Sequence, residues 1–392
     1  MKKKIIILGS TGSIGLSALN IIDKKKEFFS IYLLSANKNS KLIYKQIKKY
    51  KPQFFIINNL KTFKILQKKL KKSKTKILNN FNSIKLKKKI DITITAIPGI
   101  AGLEPTIKTI KLTKKILIAN KESVICGWNL INKTAKKNRT KIIPIDSEHF
   151  SIFKLLKKRK MSEIKKIYLT ASGGPFLNYK PNQLKSIKSR DALKHPKWKM
   201  GKKITIDSST LMNKIFELIE AKKLFTIPNN KLDIVIHPES LVHAIIDFKN
   251  GLKEFIYHET SMIIPLANAI FDGNIDIKNF YEKKNKEKIK NLTFRNVDKK
   301  IFPAIKLKNR IDEYPSTPII LNAANEILVE YFLRKIVTFS DISKFIMGIL
   351  NDGNYKNYAI TSCKNINQIN KIDTWARSIT LTKINRKYGQ IN

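Results

Sequence analysis

The opening stretch KKIIILGSTGSIG, residues 3–15, constrains the fold of this chain more than any other feature. An apolar run of strand length stops at Gly9. Gly12 and Gly15 follow at three-residue intervals, and Ile14–Lys24 then carries apolar residues at helical spacing. Strand, glycine turn and helix in that order make a βα unit whose backbone can approach a pyrophosphate closely. The helix start supplies N–H groups and the positive end of a dipole. The spacing is G-x-x-G-x-x-G rather than the commoner G-x-G-x-x-G, so the strand and helix on either side carry the reading of a dinucleotide site.

The rest of the first 145 residues repeats that rhythm. Strands are expected at Lys4–Leu8, Ile31–Ser35, Phe54–Ile57, Ile92–Ala96, Ile116–Ala119 and Lys141–Ile145, with helical patterns between them such as Ser40–Tyr50. This predicts an α/β fold beginning with a Rossmann-like, doubly wound parallel sheet over residues 1–146. From 147 to 271 the pattern becomes mixed, as in a central α+β catalytic domain with a sheet face open to dimer contact. Strands are expected there at Ile164–Thr170, Lys203–Asp207, Leu232–Ile236, Val242–Phe248 and Lys253–Tyr257. Helices fit Ser147–Lys158, Thr210–Leu224 and Met262–Phe271. Residues 272–300 are rich in Asn and Lys and read as a linker. Residues 301–392, with helix-period segments at Pro318–Arg334 and Asp341–Asn351, read as a C-terminal helical bundle.

Composition narrows the function classes. The net charge is +49, with 78 Lys and Arg against 29 Asp and Glu. The lysines are scattered along the whole chain, and no nucleic-acid-binding motif accompanies them. The charge therefore predicts weak, salt-sensitive attraction of anions, including an anionic substrate, rather than specific nucleic-acid binding. No apolar run reaches the roughly 18–20 residues of a membrane span. The apolar start ends too early for a secretory leader, so a cytoplasmic protein is expected. Cys126 and Cys363 give neither a disulfide framework nor zinc spacing.

Five further segments carry chemistry. The second strand ends in Asn37-Lys38-Asn39 without an acid, which favours a 2′-phosphate on Lys38 and Asn39, hence NADPH over NADH. Asn120-Lys121-Glu122 follows a buried strand at the ligand-binding end of the sheet. Asp146-Ser147-Glu148-His149 follows another, and its two carboxylates suit Mg²⁺ or Mn²⁺; the same residues also read as a helix cap with an acidic first turn. Ser172-Gly173-Gly174 can expose backbone N–H groups to an oxyanion. The block HPKWKMGKKITIDSSTLMNKIFE, from His195 to Glu217, reads as a lid with His195, Trp198 and a Gly201 hinge, then a short strand, then a helix. On that helix Asn213, Lys214 and Glu217 share one side, near Ser208 at its start, and together can hold a phosphate and a metal. His237 and His243 read as structural residues.

These segments, with SGGPF, IHPESLVH and the C-terminal LNAANE, closely resemble the 1-deoxy-D-xylulose 5-phosphate reductoisomerase family nearly end to end. The resemblance implies an NADP-dependent oxidoreductase of the non-mevalonate (MEP) pathway of isoprenoid synthesis. Its substrate would rearrange by retro-aldol cleavage and re-addition, and hydride reduction would give 2-C-methyl-D-erythritol 4-phosphate. It further implies NADPH contacts from Thr11, Gly12, Ser13, Ile14, Lys38, Asn39, Asn120, Glu122 and Gly201, and a Mg²⁺ or Mn²⁺ site at Asp146, Glu148 and Glu217. Lys121, Ser147 and Glu148 would meet the reacting end of the substrate. Ser172, Ser208, Asn213 and Lys214 would hold its phosphate, with His195 on the lid. The resemblance implies Lys121, Glu148, His195 and Glu217 as the catalytic set. A homodimer and inhibition by fosmidomycin are implied too.

Asn37, Phe150 and Thr260–Ile263 depart from the family pattern without removing a metal or phosphate ligand. The alternative is another Rossmann NADP-dependent oxidoreductase, acting on a small phosphorylated or semialdehyde substrate. Such an enzyme needs no carboxylate metal site.

Overall fold

The computed structural model describes residues 2–82, 84, 88–157, 159–281 and 291–389. Chain contacts divide it into two units. The first is Met1–Ser123, Asn129–Phe150 and Ser261–Lys288; the second is Val124–Trp128, Ser151–Thr260 and Ile289–Asn392.

The first unit is a seven-stranded parallel sheet. Its strands are β1 (Lys3–Leu8), β2 (Phe29–Ala36), β3 (Phe54–Ile57), β4 (Lys76–Leu78), β5 (Ile90–Thr95), β6 (Thr113–Ile118) and β7 (Lys141–Pro144). They lie in the order β4-β3-β2-β1-β5-β6-β7. The order reverses direction between β1 and β5, where Ile7 pairs with Leu34 on one side and Ile94 on the other. That switch point is where doubly wound folds open a crevice for ligands. Ile5, Ile6, Ile7 and Leu8 are fully buried, as a central parallel strand covered on both faces requires. Pro144 sits on the edge strand β7, where a missing N–H costs no ladder bond. The helices are α1 (Ser13–Lys24), α2 (Ser40–Tyr50), α3 (Leu60–Lys69), α4 (Leu103–Ile110) and α5 (Lys121–Lys137), whose regular backbone breaks at Gly127, then α6 (Ser147–Leu155).

The second unit is built on a four-stranded mixed sheet. β8 (Ile164–Ala171), β9 (Leu232–Ile236), β10 (Val242–Phe248) and β11 (Lys253–Tyr257) lie in the order β11-β10-β8-β9. β10 is antiparallel to both neighbours and buried along its whole length. The helices are α7 (Ser189–Ala192), α8 (Lys202–Ser209), α9 (Met212–Phe225), α10 (Ile263–Ile270, in the first unit), α11 (Thr317–Leu333), α12 (Phe339–Leu350), α13 (Tyr355–Ala359) and α14 (Ile366–Tyr388). α11 packs against both α12 and α14. Arg377 on α14 ties to Asp373 (2.6 Å) and to Glu326 on α11.

One expected strand is a helix. Lys203–Asp207, with the β-branched run Ile-Thr-Ile, forms most of α8. Three local bonds favour the helix. Thr205 Oγ1 donates to the Gly201 carbonyl (2.9 Å), Thr210 Oγ1 donates to that of Ile206 (3.1 Å), and Lys203 pairs with Asp207 one turn on (3.0 Å). Burial of Thr205 and Ile206 supplies the tertiary part, which overrides the strand propensity. Of the expected linker, residues 282–290 lie outside the described residues, while Arg295 forms a bridge to Ile236 at the end of β9.

Candidate active site

In the first unit the glycine turn joins β1 to α1. Gly9 has φ +82°, and a Cβ there would sit 2.5 Å from the Ala96 carbonyl oxygen. A Cβ on Gly15 would meet the Gly9 oxygen at 2.3 Å. These two glycines make the turn physically possible. Gly12 is different: its nearest obstacle is 3.4 Å away and it is exposed. It caps α1 with no side-chain bond, so the first N–H groups of that helix face outward. Thr11, Ser13 and Ile14 surround this opening, none of them buried. Lys38 and Asn39 follow β2 and are exposed, and Asn39 Oδ1 caps α2 at Leu42 N–H (3.0 Å).

Asn120 is the cap of α5. Its Oδ1 accepts from Ser123 N–H (2.5 Å), and its amide donates to the carbonyls of Ile97 and Gly99, the latter at 3.0 Å. It thereby locks the loop after β5 to the loop after β6. Lys121 and Glu122 begin α5 and are buried. Lys121 Nζ lies 3.4 Å from Asp146 Oδ2. Asp146 Oδ1 accepts from Glu148 N–H (3.3 Å) and lies 3.3 Å from His149 Nδ1. Ser147 Oγ donates to Glu148 Oε2 (2.5 Å). Asp146 therefore caps the helix start and presents a carboxylate at once. Two adjacent carboxylates make a hard-oxygen donor set of the kind Mg²⁺ and Mn²⁺ take.

The second unit carries the side chains expected to hold the substrate phosphate. Ser172 ends β8 and leads into Gly173 and Gly174, both with positive φ. A Cβ on Gly174 would lie 3.2 Å from Ser209 Cα and 3.3 Å from the Ser208 oxygen, so this turn packs on the end of α8. His195 Nδ1 accepts from the N–H groups of Lys197 (3.1 Å) and Trp198 (2.9 Å). The ring proton must then sit on Nε2, which donates to Ser172 Oγ at 3.0 Å. Ser172 Oγ also accepts from Gly174 N–H (3.1 Å). With two bonds accepted, its own hydroxyl proton is left to donate to an incoming oxygen. Burial first, and the Lys214 ammonium second, push the His195 pKa down to about 4, keeping the ring neutral.

Lys214 and Glu217 are both buried on α9. Lys214 Nζ donates to Glu217 Oε2 at 2.7 Å and Asn213 Nδ2 donates to Oε1. The shared helix side expected for Asn213, Lys214 and Glu217 is thus present. Ser208, however, does not begin that helix. It lies in the last turn of α8, and Leu211 at φ +67° turns the chain into α9. Residues 193–200, with Thr205, line a pocket of about 360 Å³ that includes His195, Trp198 and Met200. Gly201 caps α8, and among the described residues a Cβ there would meet nothing within 4 Å. His237 and His243 bond to the backbone carbonyls of Thr293 (2.9 Å) and His258 (3.2 Å), as structural histidines do. Asp207 and Asn325, bonded to each other at 2.7 Å and both buried, were not expected. The sequence signal for Asp207 is an acid directly after Ile-Thr-Ile, which the strand reading hides.

Family models for 1-deoxy-D-xylulose 5-phosphate reductoisomerase match residues 5–127, for its C-terminal domain 142–225, and for the DXP reductoisomerase C-terminal domain 259–379. The chain belongs to the 1-deoxy-D-xylulose 5-phosphate reductoisomerase family. It is 45% identical to the reductoisomerase of Pelagibacter ubique over 95% of this chain and 97% of that one. The reductoisomerase of Halothermothrix orenii is 35% identical over 96% and 98%. A solved DOX-P reductoisomerase in complex with NADPH, fosmidomycin and magnesium superposes with a TM-score of 0.90 at 31% identity, covering 99% of this chain and 100% of that one. The Zymomonas mobilis enzyme in complex with NADPH gives 0.85 at 28%, covering 98% and 99%. Among the described residues no helix is long and apolar enough to cross a membrane.

Proposed function

We propose that this chain converts 1-deoxy-D-xylulose 5-phosphate to 2-C-methyl-D-erythritol 4-phosphate in the MEP pathway, using NADPH and a divalent cation. The observation that carries the reading is the Ser172–His195–Lys214 cluster. A neutral histidine, a hydroxyl free to donate and a buried ammonium suit a phosphate dianion far better than a carbonyl substrate without one. Ser208 and Asn213 join them in the phosphate grip. That grip holds a non-reacting part of the substrate, so its binding energy orients the reacting carbons.

Asp146, Glu148 and Glu217 would hold Mg²⁺ or Mn²⁺. The cation supplies Lewis-acid stabilisation of charge on the substrate oxygens, and NADPH supplies the hydride. Lys121 and Ser147 orient the hydroxyl and carbonyl end, with Glu148 and Glu217 beside it. The carbon skeleton opens by retro-aldol cleavage and closes by re-addition before reduction. Thr11, Gly12, Ser13, Ile14, Lys38, Asn39, Asn120, Glu122 and Gly201 form the NADPH site. His195 and the segment through Trp198 to Gly201 act as the lid that excludes water. Residues 1–146 serve the cofactor, 147–271 the chemistry, and 301–392 form the helical support beyond the 272–300 linker.

The enzyme works in the cytoplasm as a homodimer and binds no specific nucleic acid. Support for the dimer is the edge strand β11, where Phe255 and Tyr257 lie exposed on one face beside the exposed Leu252. The test of function is NADPH oxidation with 1-deoxy-D-xylulose 5-phosphate in Mn²⁺ or Mg²⁺, repeated with EDTA and with Glu217→Gln. Turnover lost in both supports the reading; turnover indifferent to EDTA overturns the metal's part in it.

A further inference from the structure

The LNAANE segment takes no part in the site as described, yet Asn325 is fully buried in α11 and its Nδ2 donates to Asp207 Oδ1 at 2.7 Å. Asp207 is 2% exposed, and its other oxygen lies 3.0 Å from Lys203 Nζ. Among the described residues Asn325 Oδ1 has no partner, so one polar atom is left buried beside this bond. Buried polar pairs of this kind are weak evidence for stability, since apolar residues of like volume often replace them at no loss. What the pair does hold is a place. Asp207 directly precedes Ser208 in the last turn of α8. The left-handed Leu211 corner follows, and Asn213 and Lys214 come next on α9. The Gly173–Gly174 turn that carries Ser172 packs on the same helix end.

We infer that Asn325 is a positioning residue for the substrate phosphate, acting through Asp207 to fix the α8 end that carries Ser208 and the corner that leads to Lys214. This rests on the phosphate-site reading above. Lys203 neutralises the buried carboxylate from its own helix. Asn325 supplies the tie from α11, so the helical C-terminal region sets the geometry of a grip to which it donates no ligand.

Asn325→Leu keeps the volume and removes the donor. Asn325→Asp sets two buried carboxylates against each other, and adding Asp207→Asn rebuilds the donor–acceptor pair in reverse. Residues coupled in this way show non-additive effects on the order of tenfold. The expected result is a KM for 1-deoxy-D-xylulose 5-phosphate about tenfold higher in Asn325→Leu, and higher still in Asn325→Asp, while the KM for NADPH stays within about twofold. The double variant D207N/N325D returns most of the loss. A substrate KM unchanged in Asn325→Leu overturns the inference. So does a parallel rise of both constants that the double variant fails to reverse, since that is a defect of the whole fold. Should Asn325→Asp fail to fold, Asn325→Leu alone decides. Lys214→Met separates the two levels: if it leaves the substrate KM unchanged, the phosphate-site reading has failed rather than the positioning role.

Discussion

In the function proposed above, the two units would hold anions by opposite means. At the start of α1 the groups offered to a ligand would be backbone, the helix N–H groups, and the glycines let the chain reach that shape. At the α8–α9 corner the site is made of side chains, a hydroxyl, an imidazole and an ammonium, held at the right places by other side chains. The first kind tolerates change in what flanks it but not a Cβ at Gly9 or Gly15. The second tolerates small backbone adjustments but depends on each charge and tautomer.

Substitutions sharpen that contrast. The largest effect is expected from Gly15→Ala, whose Cβ would meet backbone atoms at 2.3 and 2.6 Å, neither able to swing away. A loss of at least about 3 kcal/mol is expected in denaturant unfolding, with NADPH binding abolished. Next comes Lys214→Met, which removes a buried charge from the side-chain site. Loss of one hydrogen bond to a charged group predicts a substrate KM raised on the order of 10- to 100-fold, measurable in steady-state kinetics. Gly12→Ala is milder, since its Cβ has room: the fold should hold within about 1 kcal/mol and only NADPH affinity fall. Gly201→Ala meets nothing within 4 Å and should change thermal stability by less than about 0.5 kcal/mol.

The histidine adds a pH signature that the backbone site cannot have. His195 has a folded pKa lowered from 6.5 to about 4, so between those values the unfolded chain binds more protons. Its contribution to stability is therefore intact above pH 6.5 and is lost as pH falls toward 4. In a proton NMR titration of the free protein, the His195 ring signals should stay flat from pH 8 to about 5 and move near pH 4. A midpoint near 6.5 would mean the ring is neither buried nor facing Lys214.

The same contrast explains what could be read from the chain. The parallel strands were legible because each is a short apolar run between polar helices, and all six expected in the first unit are present. The short β4 edge strand was not seen, as three residues leave no period to detect. In the second unit the type of α8 was misread because Ile-Thr-Ile has strand propensity, while the bonds that make it a helix depend on Gly201, Thr210 and burial. Candidate ligands such as Ser172 and Lys214 are visible as residue types. The Ser172–His195 bond and the Asp207–Asn325 tie are not, because they join residues 23 and 118 positions apart.

The most direct test of two separately built anion sites is to measure, on Lys214→Met alone, the KM for 1-deoxy-D-xylulose 5-phosphate and the dissociation constant for NADPH. The account predicts that the first rises at least about tenfold while the second stays within about twofold. Equal weakening of both, or a change in NADPH affinity alone, would contradict it.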